Sequence, residues 1–164
     1  MKGVLFTALW ALAGLGCSPP QLQGSLSVLL DLTYKTSELS VVNDQASLSF
    51  LRPITGDFAA DAGPAGEDLV LRVVTTLSGQ AVTAKTSFNL ADVLPNGSQR
   101  GQVSRNVLND PTQSFPLIDR GTFVVYQNPA SGQYINGYFS VTFQEGIAEA
   151  SGRTVYANFT AKVL

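Results

Sequence analysis

The side chains that could do chemistry in this chain are carboxylates, tyrosines and a single thiol, because histidine is missing altogether. Without imidazole, Ser-His-Asp and Cys-His nucleophilic catalysis fall away, as do the usual zinc sites and ordinary haem ligation. Two acidic groupings remain. Glu145 and Glu149 flank a loop at residues 144–152. Glycoside hydrolysis needs two carboxyls about 5–10 Å apart across a sugar, one with its pKa raised by burial. Loop-tip glutamates stand in water, however, and no neighbouring sequence builds a cleft around these two. Asp57, Asp61, Glu67 and Asp68 place four carboxylates in a stretch rich in Gly and Ala. Calcium takes oxygen ligands from flexible loops of this kind, although the spacing is not that of an EF-hand, and a solvated acidic loop is the plain alternative. The third candidate is aromatic. If Phe139 and Phe159 turn inward, Tyr138 and Tyr156 turn outward on neighbouring strands, with Tyr134, Gln133, Asn136 and Asn158 close by. Such a patch can stack a sugar or grip a protein. The same tyrosines can also simply stabilise a sheet as cross-strand pairs.

Charge narrows the partners. The 164 residues carry 10 basic and 12 acidic side chains, and Arg52, Arg72, Lys85, Arg100, Arg105, Arg120 and Arg153 are scattered along the chain. Nucleic-acid binding needs a basic stripe that neutralises phosphates, and a polybasic contact with anionic lipid needs the same. Neither is present. No Gly-rich phosphate loop precedes a helix, so no nucleotide or other cofactor is expected.

The N-terminus has its own logic. Met1-Lys2-Gly3 opens with one positive charge, and residues 4–15 carry none, with Thr7 the only polar side chain. A spanning helix needs about 20 apolar residues, so this run, stopped by Pro19-Pro20, is too short to cross a bilayer and reads as the apolar region of a secretory signal peptide. Its end, Gly14-Leu15-Gly16-Cys17, resembles the lipobox of bacterial lipoproteins, with Gly14 at the place where leucine is commonest. The resemblance implies diacylglyceryl transfer to the Cys17 sulfur, cleavage before Cys17 and acylation of the new amino terminus. Cys17 is the only cysteine, so it has no disulfide partner within the chain. Ser18, rather than Asp, follows it, which by the sorting rule of Gram-negative lipoproteins favours the outer membrane. Two or more acyl chains anchor a protein stably, whereas one does so only marginally.

Removing the first 16 of the 164 residues leaves 148, a normal size for one domain. Residues 18–24 read as a short tether. The elements that must position the candidates then follow a period of two. Leu26, Val28, Leu30 and Leu32 alternate with Ser25, Ser27, Leu29, Asp31 and Thr33, and two-residue alternation recurs in 69–77, where Val70, Arg72, Val74 and Thr76 form the opposite face, and in 82–90, 138–144 and 154–163. Residues 69–77 and 82–90, joined by Ser78-Gly79-Gln80, read as a hairpin. Shorter strands are expected at 46–51, 102–108 and 122–126, and Asp92 offers to cap a helical turn at 90–94. About eight strands suggest an antiparallel β-sandwich or a small barrel, preceded by a signal-peptide helix.

Gly121-Thr122-Phe123, Ile135-Asn136-Gly137-Tyr138-Phe139-Ser140-Val141 and residues 152–161 are similar to a recurring stretch of uncharacterised bacterial lipoproteins. That stretch covers about a quarter of the chain, and it implies an all-β domain with no known activity. The expectation is therefore a signal peptide at 1–16, a lipidated Cys17 and tether at 17–24, and one all-β domain at 25–164. Its function is read as a non-enzymatic binding or structural module of the bacterial cell envelope, anchored to membrane by lipid, with an envelope protein or a glycan as partner. A carboxylate-dependent glycan hydrolase and a calcium-dependent binding domain are the alternatives.

Overall fold

A computed structural model describes residues 20–54, 66–111 and 114–164. The signal peptide expected at 1–16, and Cys17 itself, lie outside the described residues. Eight strands form: β1 (Thr36–Val42), β2 (Gln45–Pro53), β3 (Glu67–Thr76) and β4 (Ser87–Asn89), then β5 (Gly101–Asn106), β6 (Ile118–Val125), β7 (Tyr134–Phe143) and β8 (Thr154–Val163). All belong to one sheet in the order β4-β6-β7-β8-β1-β2-β3-β5. Every neighbouring pair is antiparallel except β1 and β8, which run parallel. The fold is all-β as expected, and the sheet is mixed and not closed into a barrel.

The sheet curls instead. Phe50 of β2 and Phe139 of β7 approach to 5.5 Å between ring centroids, although two strands lie between theirs in the sheet. Flat strands spaced about 4.8 Å apart would hold them far beyond contact. The two halves therefore face one another like the leaves of a sandwich around one apolar core, with Phe88, Phe123, Phe143 and Leu48 fully buried in it.

Alternation explains which residues go inside. In β8, Val155, Ala157, Phe159, Ala161 and Val163 are buried while Tyr156, Asn158, Thr160 and Lys162 are exposed. In β7, Ile135, Phe139, Val141 and Phe143 face the same core. β3 breaks its alternation. Asp68 and Val70 are buried, then Leu71, Val73 and Thr75, and the ladders to β2 and β5 both shift register in this region. A bulge of this sort turns every preceding side chain to the opposite face.

Three local expectations give way. Residues 25–33 form no strand: Ser25–Val28 is a single 3-10 turn, and the Leu30 N–H donates to the Leu26 carbonyl at 3.0 Å. The leucine spacing that reads as alternation also fits a turn, which buries Leu26, Leu30 and Leu32 together. Residues 69–77 and 82–90 make no hairpin, because β3 is already paired on both edges, to β2 and β5, while β4 pairs with β6 at the far end of the sheet. Asp44, in the turn between β1 and β2, holds the chain after β3. Its carboxylate accepts the Ser78 and Gly79 N–H groups at 3.0 and 2.7 Å, and its carbonyl accepts that of Leu77 at 2.8 Å. The expected helical turn at 90–94 is an ordinary turn, with the Asn89 side-chain amide donating to Asp92 at 2.6 Å.

Most of the stretch expected as a tether at 18–24 is part of the domain. Residues 20–24 belong to the fold, with Leu22 fully buried. Gln21 bridges Thr33, and Gln23 bridges Tyr156 of β8.

Candidate functional site

The three tyrosines face outward as alternation requires, but they do not form one patch. Tyr138 stands opposite Asn158 and Tyr156 opposite Ser140, so the two rings are diagonal neighbours on the outer face. Tyr134 lies four residues along β7, opposite Lys162, about 13 Å away at strand rise. Its side of the sheet is the interesting one. Tyr134, Asn158, Thr160 and Lys162 form one wall of a groove of about 610 Å³. Tyr34, Lys35, Ser37 and Glu38 form the other wall, and Pro20 also lines it.

The groove exists because β8 and β1 pair along only part of their length. Their ladder runs from Glu38↔Lys162 to Leu39↔Val163, and the Leu164 N–H donates to the Leu39 carbonyl at 2.9 Å. At the other end of β8, Tyr156 exchanges two backbone hydrogen bonds with Gln23, at 3.0 and 2.9 Å. Backbone groups of every second residue point to the same side of a strand, so Asn158 and Thr160 address the space between these two pairings. Gln21, next in line after Gln23, stands opposite Thr33 on its other edge, where the bonds are those of its neighbours, Leu22 N–H to the Leu32 carbonyl at 3.2 Å and Tyr34 N–H to the Pro20 carbonyl at 3.0 Å, so its own N–H and carbonyl turn to the β8 side. The Ser37 hydroxyl donates to the Thr160 carbonyl at 2.8 Å. Between these two pairings β8 has no ladder partner on this edge among the described residues.

Around the groove the chemistry is mixed. Tyr34 packs edge-on against Phe50, with centroids 4.9 Å apart, and burial raises its hydroxyl pKa above the ordinary tyrosine value. Lys162 has Glu38 directly opposite in register, so the two charges oppose one another. Lys35 is exposed and, among the described residues, makes no ion pair. The groove is therefore aromatic at both walls, polar along them through Ser37, Asn158 and Thr160, and carries one cation in excess.

The acidic candidates are arranged otherwise. Asp57 and Asp61 lie outside the described residues. Glu67 and Asp68 are neighbours in β3, so their side chains point to opposite faces. Glu67 is exposed and Asp68 is buried. The Asp68 carboxylate accepts the Leu108 N–H at 2.9 Å and a hydrogen bond from Arg52 at 3.2 Å. Arg52 also pairs with Asp31. Partial burial pushes the Asp31 carboxyl up, but hydrogen bonds from Thr33 and the Arg52 pair outweigh it and hold the pKa below the ordinary aspartate value. Of the described half, Asp68 thus serves a network with Arg52 while Glu67 stands exposed on the other face, and the two share no oxygen cage. Glu145 and Glu149 are exposed on the loop between β7 and β8, with the Glu145 carboxylate lying against Gly152. Nothing buries either glutamate.

Two features escape a reading by composition. Arg105, counted among the scattered charges, is buried on the inner face of β5, with its Nε donating to Asp110 at 3.0 Å. Its guanidinium also donates to the carbonyls of Val70 at 2.9 Å and Asp31 at 3.2 Å. Val70 sits in the bulge of β3, so the arginine satisfies a carbonyl that the irregular ladder releases. The signal was phase: Arg105 shares the spacing of Val103 and Val107. The groove left no such trace, because it depends on where β1 and β8 part. Compared with family models, curated proteins and solved structures, the chain matches none of them.

Proposed function

We propose that this chain is an exported bacterial lipoprotein whose β-domain binds a partner at the cell envelope, with the groove between β1 and β8 as its recognition surface and no chemistry performed on the ligand. One juxtaposition carries the reading. The lone Cys17, placed after a short apolar run, precedes by three residues the Pro20 that lines the groove. Three residues span at most about 11 Å. Lipid on Cys17 would hold the groove close to the bilayer surface, where an envelope component meets it. Outer-membrane placement follows from Ser18 by the same resemblance that reads the lipobox. The groove supports binding over catalysis through its content. Among its lining residues Glu38 is the only carboxylate, and it faces Lys162 rather than a second acid.

The test is the native N-terminus. Mass spectrometry of the protein from its own membranes should give a diacylglyceryl Cys17 at the mature terminus. Cys17→Ser should abolish incorporation of labelled palmitate and release the chain from the membrane fraction. A native chain carrying an unmodified Cys17 thiol would refute the anchoring.

A further inference from the structure

We infer that a hollow on the outer face of β6 and β7 holds an acidic sugar, its carboxylate on Arg120 and its ring against Tyr138 and Tyr156. The hollow lies on the side of β8 away from the groove, so it is a second site and does not depend on the first. Register builds it. Asn89, Thr122, Ser140 and Tyr156 stand side by side in one row across β4, β6, β7 and β8. Arg120, Thr142 and Thr154 make the next row. Phe88, Phe123, Val141 and Val155, their neighbours in sequence, are buried, so both rows face water. The small side chains of Thr122, Ser140 and Thr142, with Gly121 beside them, leave a depression of about 330 Å³ between the longer Asn89 and Arg120. Clefts for small ligands begin near that size, at about 300 Å³. Tyr138 precedes Ser140 by two positions and Tyr156 stands opposite it, so two tyrosines border the floor on adjacent sides. As diagonal neighbours they are about 7–8 Å apart.

The content of the hollow selects the ligand. Arg120 is exposed and, among the described residues, forms no ion pair. Its Nε donates to the Thr142 hydroxyl at 3.4 Å, which leaves the two terminal nitrogens of the guanidinium without a partner among the described residues. No carboxylate lines the hollow. Asp92, behind Asn89, is tied to Arg100 at 3.4 Å, and Asp119, the extra residue of the β6 bulge, makes no ion pair with Arg120. The site is therefore positive, and a forked guanidinium matches the two oxygens of a carboxylate. A bare anion would leave the rest of the hollow unmatched. The Ser140 hydroxyl has no protein partner among the described residues, and that of Thr122 shares one hydrogen bond with Ser87 at 3.2 Å. Tyrosine adds a flat surface, apolar on its face and polar at its tip. A sugar that carries its own carboxylate meets the charge, the hydroxyls and the flat faces together, whereas a protein's aspartate or glutamate meets only the first.

Full-length protein with ¹⁵N label provides the test. The probe is a tetramer of galacturonic acid, set against its methyl ester, an acetylated tetramer of glutamate and sodium sulfate. The free acid sugar should shift the amide signals of Thr122, Ser140 and Thr142 in a saturable way. Arg120→Gln should weaken that binding about tenfold, and Arg120→Lys should recover only part of it, because an ammonium cannot fork across two oxygens. Both variants should keep the parent melting temperature, since Arg120 is exposed. Tyr156→Phe should retain the binding and Tyr156→Ser should weaken it about fivefold. Equal shifts from the methyl ester would overturn the carboxylate claim. Equal shifts from the glutamate tetramer or from sulfate would reveal a site for any anion and overturn sugar recognition. Shifts at Lys35 and Lys162 without any at Ser140 would put the sugar in the groove and overturn the hollow. So would binding that survives Arg120→Gln, or no shift at millimolar sugar.

Discussion

Arg52 shows how much of this molecule turns on single side chains. It joins Asp31, in the stretch before β1, to Asp68, on β3, and so ties two segments that the sheet order keeps apart. The folded pKa of Asp31 lies below the ordinary 3.8. Its contribution is therefore present above that value and is lost as pH falls through the lowered one. Asp31→Asn should melt below the parent at neutral pH, and the gap should close in strong acid. The carboxylate is 60% exposed, so screening keeps the gap within about 1 kcal/mol. Thermal melts of both proteins across acid pH check this, and a gap that persists in strong acid would contradict it. At this scale, alternation placed the tyrosines outside correctly, since β7 and β8 keep strict phase. It failed for Asp68, because a bulge inverts phase, whereas Arg105 keeps the phase of Val103 and was hidden only from a count of charges.

Elements were legible where one face is apolar without interruption, as in β7 and β8. β1 was not. Its inward residues include Ser37 beside Leu39, and its outer face carries Glu38 and Ser40, so hydropathy barely marks it. The usable sign was the Asn43-Asp44 pair after Val41-Val42: both residues take positive φ, at 51° and 62°, the conformation of a tight two-residue hairpin turn. Ser78-Gly79 carries the same left-handed conformation without making a hairpin, because Asp44 claims that loop and β3 has no free edge. Close packing between elements is sharpest at Gly137. A Cβ there would sit 2.3 Å from the Phe159 ring and 2.4 Å from the Val124 carbonyl. Gly137→Ala must push β7 away from both β6 and β8, and should cost about 1–3 kcal/mol in urea unfolding. A loss under about 0.5 kcal/mol would show that the sheet yields there freely.

For the whole molecule, the count of eight strands came out right while the wiring did not, since pairing of β8 with β1 spans nearly the full chain and no local pattern encodes it. β8 is the middle piece. It joins the β4-β6-β7 half to the β1-β2-β3-β5 half, and it also receives Gln23 from the N-terminal segment. Deleting residues 154–164 should therefore abolish cooperative unfolding rather than lower its midpoint, leaving two partial sheets with their apolar faces open. Calorimetry of the truncated chain checks this, and a single sharp transition would show that the halves associate without β8.

That position of β8 has a consequence for timing. A ribosome delivers this keystone after the other seven described strands, so nothing locks the two halves together until it emerges. Were the chain exported, as proposed above, that delay would keep it slack while it is threaded through a translocation channel and let it close once β8 reaches the far side.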